Sequence, residues 1–291
     1  LAREGAPLLL VGFHGCGKSW LLEHALSCSP LRARRLHMTL DAGSLDADAV
    51  LDDVAARAAA ATRVSPRTPR ERLHEWVERS LEAALEVGRL ALTFDADIAA
   101  LSAPGWHALE GTFRAWTERR TWAPWDRLTL VLCASGHPSA MRAVMRSSTF
   151  TEAVEVDALG DVEMREVIAR FGRSPDDDWV RAVVAATGGD VGPLVACLHA
   201  MILDGLTPHE AVDTTRNTSL ALTLAPLRRW VDTPDRSRVL AAVTTNPGLQ
   251  LQGDARAVAL ELAAVGLLEE RGGWRLRRGI YTALLSPESA P

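Results

Sequence analysis

Apolar and polar positions divide the chain into two stretches of different rhythm. In the first, short apolar runs alternate with longer segments of helical period. Residues 7–11, with Leu8-Leu9-Leu10-Val11, predict a short buried strand. Gly12 to Ser19 is a Gly-rich turn, and Trp20 to Ser27 continues as a helix. Leu36 to Leu40 predicts a second strand, ending at Asp41. The Ala-rich segment Leu45 to Thr62 predicts a helix, and Ser65-Pro66-Arg67-Thr68-Pro69 a break. Arg70 to Val87 carries Leu73, Trp76, Val77, Leu81, Ala84 and Leu85 at helical spacing. Leu90 to Phe94 predicts a third strand ending at Asp95, and Trp106 to Glu118 a helix. Leu128 to Cys133 predicts a fourth strand ending near Ser135, Met141 to Arg146 a short helix, and Val154 to Val156 a short fifth strand. Strands alternating with helices imply an α/β domain: a parallel sheet with helices on both faces.

Beyond residue 158 the strand signal stops. Asp161 to Phe171, Asp177 to Thr187 and Pro193 to Asp204 predict three helices, with a fourth over Thr207 to Thr214. Residues 215–234 form a connection that includes a helix from Leu220 to Trp230. The last segment has its own pattern. Ser237 to Thr244 is helical, Asn246-Pro247-Gly248 turns, and Arg256 to Val265 is helical again until Gly266. Leu267-Leu268-Glu269-Glu270 and Trp274-Arg275-Leu276-Arg277 flank the tight turn Arg271-Gly272-Gly273. A hairpin after paired helices predicts a winged helix. The expected division is 1–158 for the α/β domain, 159–232 for a helical lid and 233–287 for the winged helix.

Composition narrows the picture modestly. With 291 residues, 47% hydrophobic and 24% charged, the chain can bury a sizeable core and is not of disordered type. A net charge of −5 gives no general reason to expect a polyanion partner. No apolar run approaches a membrane helix, so no membrane partner is expected. Cys16, Cys28, Cys133 and Cys197 form no C-x-x-C pair, and free thiols fit a reducing cytoplasm. The first residue is Leu, which suggests a piece of a longer protein. Of the 32 basic residues, 31 are Arg and the only Lys is Lys18.

That lysine lies in Gly12-Phe13-His14-Gly15-Cys16-Gly17-Lys18-Ser19, which satisfies G-x-x-x-x-G-K-S. Glycines let the backbone curl so that its N–H groups face an anion. The following helix adds its positive end. Lys18 is a compact ammonium that reaches β- and γ-phosphates, where the planar guanidinium of Arg does not fit in the same way. The Ser19 hydroxyl is a Mg²⁺ ligand. Gly12, Gly15, Cys16, Gly17, Lys18, Ser19 and Trp20 are therefore the candidate nucleotide-binding set, with ATP or ADP and Mg²⁺ as cofactors. Cys16 is either a small loop filler or an oxidation switch.

Leu90-Ala91-Leu92-Thr93-Phe94-Asp95, an apolar strand ending in Asp, fits a Walker B element in which Asp95 holds Mg²⁺ with Ser19. The carboxylate that usually follows to orient water is absent, because that position is Ala96. Asp97 either substitutes catalytically or is a helix N-cap. Ser135 is either a polar sensor of the γ-phosphate or a turn residue, and Arg142 and Arg146 either arginine fingers or surface residues. Lys18, Asp95 and Asp97 are thus the candidate catalytic groups.

On these motifs the chain resembles the STAND branch of AAA+ ATPases, the AAA-like modules of bacterial signalling and defence proteins. The resemblance rests on Gly12 to Ser19, Phe94-Asp95, Phe113-Arg114-Ala115-Trp116 through Trp125, Arg127 to Leu132, and Thr187-Gly188-Gly189-Asp190-Val191-Gly192-Pro193-Leu194, followed by the winged helix. It implies that a Gly-x-Pro-like lid element, here with Pro193, touches adenine; the alternative is a helix start with Pro193 in its first turn. It implies an ATPase and a nucleotide-controlled switch, and the departure at Ala96 makes hydrolysis slow unless Asp97 substitutes. The expected partners are the other domains of the full protein, with a homo-oligomer on activation. The alternative is a DNA-binding regulator or DNA-dependent ATPase, using Arg271, Arg275, Arg277 and Arg278 with Trp274 on phosphates. Glu269 and Glu270 count against it. Trp116, Trp122 and Trp125 are expected in core or interface, and the eight histidines in structural or surface roles.

Overall fold

A computed structural model describes residues 6–28, 33–40, 45–62, 72–137, 141, 145, 149–150, 152–174 and 178–285. The chain forms two compact units. One comprises the residues up to Gly12 and those from Lys18 to Glu155; the other comprises Phe13–Gly17 and everything from Val156 onward.

The first unit is built on five parallel strands, β1 (Leu8–Gly12), β2 (Arg34–Leu40), β3 (Leu90–Asp97), β4 (Leu128–Ser135) and β5 (Glu152–Glu155), in the order β2-β3-β4-β1-β5. Every residue of β1 is buried, as expected for a parallel strand covered on both faces. Alternation sorts the side chains. Leu9 and Val11 join Leu36, Met38, Leu40, Leu92, Phe94, Ala96, Leu130 and Leu132 on one face. Leu8 and Leu10 pack with Val131, Cys133 and Leu22 on the other. The first face is covered by α2 (Ala47–Thr62), α3 (Leu73–Val87) and α5 (Pro104–Arg119), and the second by α1 (Lys18–Cys28). A short α4 (Ile98–Leu101) follows β3 directly. Phe113 sits at the centre of an aromatic cluster, 4.7 Å from Phe94, 5.6 Å from Trp116 and 6.1 Å from Trp106 between ring centroids. Trp116 and Trp125 are core residues as expected, but Trp122 is exposed.

The strand expected to end at Asp95 runs two residues further. Ala96 is paired in register with Leu40 and Ala134, and Asp97 with Ser135. The apolar run stops at Phe94, but backbone pairing does not require apolar side chains. Asp41, Arg142, Arg146 and the break at residues 65–69 lie outside the described residues.

The second unit is mostly helical: α6 (Asp161–Arg170), α7 (Asp178–Thr187), α8 (Val191–Leu203), α9 (Pro208–Ala211), α10 (Thr218–Val231), α11 (Pro234–Thr245) and α12 (Gly253–Ala264). The helix expected over Thr207 to Thr214 is only the four residues of α9, started by a Thr207–Glu210 capping box. Asn217 joins three segments. Its amide donates to Ala211 O at 2.7 Å and Ala196 O at 3.3 Å, while its side-chain oxygen caps α10 through Leu220 N. The hairpin is β6 (Leu268–Glu270) with β7 (Trp274–Leu276), and Leu249 adds a bridge to Trp274.

Trp274, which only the DNA-binding alternative would place on phosphates, is buried. Arg277 is also inside, with 8% of its side chain exposed, and its Nη2 donates to Asp190 Oδ2 at 2.7 Å, where Asp190 is fully buried. The Tyr281 hydroxyl donates to the same oxygen at 2.8 Å. Arg277 Nε donates to Gly266 O at 2.8 Å. Its guanidinium carbon lies 3.9 Å from the Phe13 ring centroid, a cation–π contact. Gly266 has φ +86°, and a Cβ there would collide with the Phe13 ring, so the position is closed to other residues on two grounds.

Candidate nucleotide site

The loop after β1 is shaped by two glycines in the left-handed region, Gly15 at φ +78° and Gly17 at φ +97°. Both also face close neighbours. A Cβ on Gly15 would lie 3.1 Å from Pro193 Cδ, and one on Gly17 3.3 Å from Val191 Cγ2. The Gly192 N–H donates to Gly15 O at 2.7 Å, and His14 Nε2 lies 3.0 Å from Thr223 O. Pro193, the expected adenine contact, is thus buried in the first turn of α8 against the loop. Cys16 is buried within the loop.

Lys18 opens α1, whose first N–H groups have no intrahelical carbonyl partner. Its side chain is 6% exposed, and its Nζ donates to Gly12 O at 3.0 Å. That same carbonyl accepts the Gly136 N–H at 3.0 Å. A buried ammonium held against the loop backbone is charged chemistry kept where an anion would sit. Trp20 faces solvent, 59% exposed, and stacks on His24 at 5.4 Å.

Ser19 and Asp95, 76 residues apart, meet: Ser19 Oγ donates to Asp95 Oδ2 at 3.0 Å. Asp95 Oδ1 is buried and makes no hydrogen bond. A carboxylate oxygen buried without a donor costs about 1–3 kcal/mol unless something else neutralises it. Two hard oxygen ligands with one orphaned oxygen fit a Mg²⁺ ion, which takes one or two protein ligands and completes its shell with phosphate and water. Ser19 and Asp95 are the residues that would hold it.

The remaining candidates fall as follows. Asp97 caps α4, its Oδ1 accepting from Ala100 N at 2.8 Å, so the N-cap alternative is the one observed. Ala96 faces the apolar core on the opposite side of the sheet from Asp95. Ser135 ends β4 in register with both Gly12 and Asp97.

Two residues near Asp95 had no motif to announce them. His37 on β2 brings its Nε2 to 3.6 Å from Asp95 Oδ2, and its Nδ1 to 3.0 Å from Thr93 Oγ1. Ligand spacing along the sequence did not single it out among the eight histidines. Burial holds the His37 imidazole below its usual range; Asp95 pulls the other way, and Arg35 and Arg57 reinforce burial. The alternation Leu36-x-Met38-x-Leu40 was the available signal, since it places His37 on the face opposite the apolar core. Cys133 on β4 is paired in register with Asp95. Burial, then the Asp95 charge, push its thiol up to about 12, partly opposed by Lys18.

These thiols give a direct check. Cys28 is exposed, whereas Cys133 and Cys197 are buried and both pushed up to about 12. At pH 8 a thiol at that value is thiolate for only about one part in ten thousand. Alkylation of the native protein, read by peptide mass spectrometry, is expected to mark Cys28 quickly, and Cys133 and Cys197 only after denaturation. Comparable labelling of Cys133 in the native state would contradict its placement.

No family model and no characterised protein sequence matches the chain. Solved structures do. The Aeropyrum pernix ORC2 protein in its ADPNP–ADP complexes aligns at a TM-score of 0.54 and 11% identity, over 94% of this chain and 84% of that one. Its ADP form aligns at 0.50 and 13%, with the same coverage. The chain shares the fold of that protein. A STAND protein with a tetratricopeptide-repeat sensor from Pyrococcus horikoshii also aligns, at a TM-score of 0.39, 10% identity, and 98% of this chain against 42% of that one. That likeness is too distant to carry weight. Within this fold, the segments that meet at Asp95 are α1, β2, β3 and β4, all from the first unit. Among the described residues, no helix is long and apolar enough to cross a membrane, and no cluster of three His, Cys, Asp or Glu forms a metal site.

Proposed function

We propose that this chain is a STAND-type, ATP-binding switch module that regulates an effector or assembly in a larger protein. The observation that carries the reading is the Ser19–Asp95 contact with its orphaned Oδ1, next to a loop whose buried lysine is the chain's only one. Gly12, Gly15, Cys16 and Gly17 supply the loop that wraps the phosphates, and Lys18 their positive charge. Ser19 and Asp95 would hold Mg²⁺, which would supply positive charge to neutralise the phosphates. Pro193, buried against Gly15, is the adenine-side candidate, Ser135 the sensor candidate, and Trp20 flanks the site.

Slow turnover follows from what surrounds Asp95. The next residue, Ala96, is turned into the core, and the Asp97 carboxylate is engaged as a cap. Neither of these two residues offers a carboxylate to orient water. We further assign residues 1–158 to nucleotide binding, 159–232 to a lid and 233–287 to a winged helix. In the last, α11, α12 and the β6–β7 hairpin follow in order, with Leu249 as a third strand-like segment.

Isothermal titration with ATP and Mg²⁺, together with single-turnover hydrolysis, tests this. Binding is expected with turnover on the order of 10⁻³ s⁻¹, the range of P-loop proteins without a supplied arginine. Turnover of 1–100 s⁻¹ by the isolated chain would sink the switch reading in favour of a motor or transferase.

DNA binding through the hairpin is the alternative. Its arginines are largely engaged: Arg275 with Glu269 at 2.9 Å, Arg271 with Glu269 at 3.5 Å, and Arg277 with Asp190. Salt-sensitive DNA binding lost on replacing Arg275 and Arg278 would favour it.

A further inference from the structure

We infer that His37 is a positioning residue for the Mg²⁺-binding carboxylate, acting on Asp95 through an imidazole held in place by Arg35 and Thr93. This rests on the nucleotide-binding reading above and adds to it a residue that none of the loop motifs contains.

Three observations fix the imidazole. Arg35 Nη2 lies 3.3 Å from His37 Nδ1. An arginine only donates, so Nδ1 must accept, and in the neutral ring the proton then sits on Nε2. Thr93 Oγ1 lies 3.0 Å from the same Nδ1, accepts from Arg35 Nε at 3.2 Å and donates to Leu36 O at 3.3 Å, closing a small network around one side of the ring without itself setting the ring proton. Arg57 Nη1 donates to the His37 carbonyl at 2.9 Å and holds the backbone beneath it. The Arg35 contact is the one that places the ring proton on Nε2, and it aims an N–H at the carboxylate.

That N–H is Nε2, 3.6 Å from Asp95 Oδ2. The distance is longer than a hydrogen bond, so the contact works as a dipole facing a charge. Ser19 Oγ donates to the same oxygen. His37 and Ser19 both face Oδ2, the Cys133 thiol lies beside the same carboxylate, and Oδ1 is buried without a hydrogen bond in the geometry. The carboxylate is turned so that one oxygen is secured and the other is available to a cation. Groups that orient a ligand from behind change metal affinity by about 10–100-fold when removed. Strand register makes the arrangement: His37 is paired with Thr93, and Thr39 with Asp95, so the imidazole reaches diagonally across to the carboxylate.

The test uses the whole chain with a non-hydrolysable ATP analogue, and Mn²⁺ as the metal probe read by electron paramagnetic resonance. Nucleotide affinity in EDTA is measured alongside. His37→Ala and His37→Phe are expected to raise the Mn²⁺ half-saturation by about 10–100-fold, with EDTA affinity within twofold of wild type. His37→Gln places an amide N–H near the Nε2 position and is expected to recover most of the loss. Mn²⁺ binding in His37→Ala within twofold of wild type overturns the proposal and leaves nucleotide binding standing. Equal losses in the alanine and glutamine variants, in EDTA as well as with Mn²⁺, assign His37 a purely structural role and also overturn it. Wild-type chain that binds no nucleotide under either condition removes the nucleotide reading, and this proposal with it.

Discussion

Arg277→Ala is expected to destabilise the helical unit by about 3–5 kcal/mol, the cost of stripping one partner from a buried ion pair. Asp190 is fully buried, and its Oδ2 takes both the Arg277 guanidinium and the Tyr281 hydroxyl. Without Arg277, a buried carboxylate keeps only Tyr281 and a looser contact with Arg278 at 3.8 Å. The variant also loses the guanidinium over Phe13 and the bond to Gly266 O. Arg277→Lys is not conservative here, since one ammonium cannot stack on a ring and serve Asp190, Gly266 and Tyr281 in the same plane. The double variant Asp190→Asn with Arg277→Met removes both charges and keeps a stem over Phe13, so it is expected to recover much of the loss. Urea unfolding followed by circular dichroism provides the measurement. A single-variant loss under 1 kcal/mol, of the size seen for surface pairs, would show that the pair is solvated in solution.

Lys18→Ala is expected to weaken ATP binding by about 100-fold or more. Losing two charge-assisted hydrogen bonds to phosphate, at about 1.5 kcal/mol each, amounts to about 3 kcal/mol, or two decades in Kd. Lys18→Arg is expected to bind nearly as poorly, because the guanidinium is too broad for a position that is 6% exposed. Calorimetric titration of the three proteins with ATP and Mg²⁺ decides it. An alanine variant that binds as tightly as wild type would end the nucleotide reading.

The alternation of strands and helices was legible from apolar runs because the parallel strands are covered on both faces. The phosphate loop was legible because its chemistry is local: two glycines with positive φ, a lysine and a hydroxyl within five residues. Asp95 needed only an apolar strand before it. His37 was not legible, because pairing of β2 with β3 brings it to Asp95 across 58 residues of sequence. A search for ligand spacing along the chain passes over such a residue. The end of β3 was set two residues short for a related reason: the apolar signal fades at Asp95, yet the backbone ladder continues to Asp97. Arg277 looked like one of four basic residues on a turn. Only its pairing with Asp190, 87 positions away, distinguishes it from exposed Arg271.

The solitary lysine has a practical consequence. Apart from the α-amino group, acylating reagents find one amine in the whole chain, and it lies buried with its Nζ against Gly12 O. Covalent modification at that amine becomes a stoichiometric, single-site footprint of the loop. Mass added at Lys18, with and without a competing ligand, reports occupancy without a fluorophore, a radiolabel or an engineered residue.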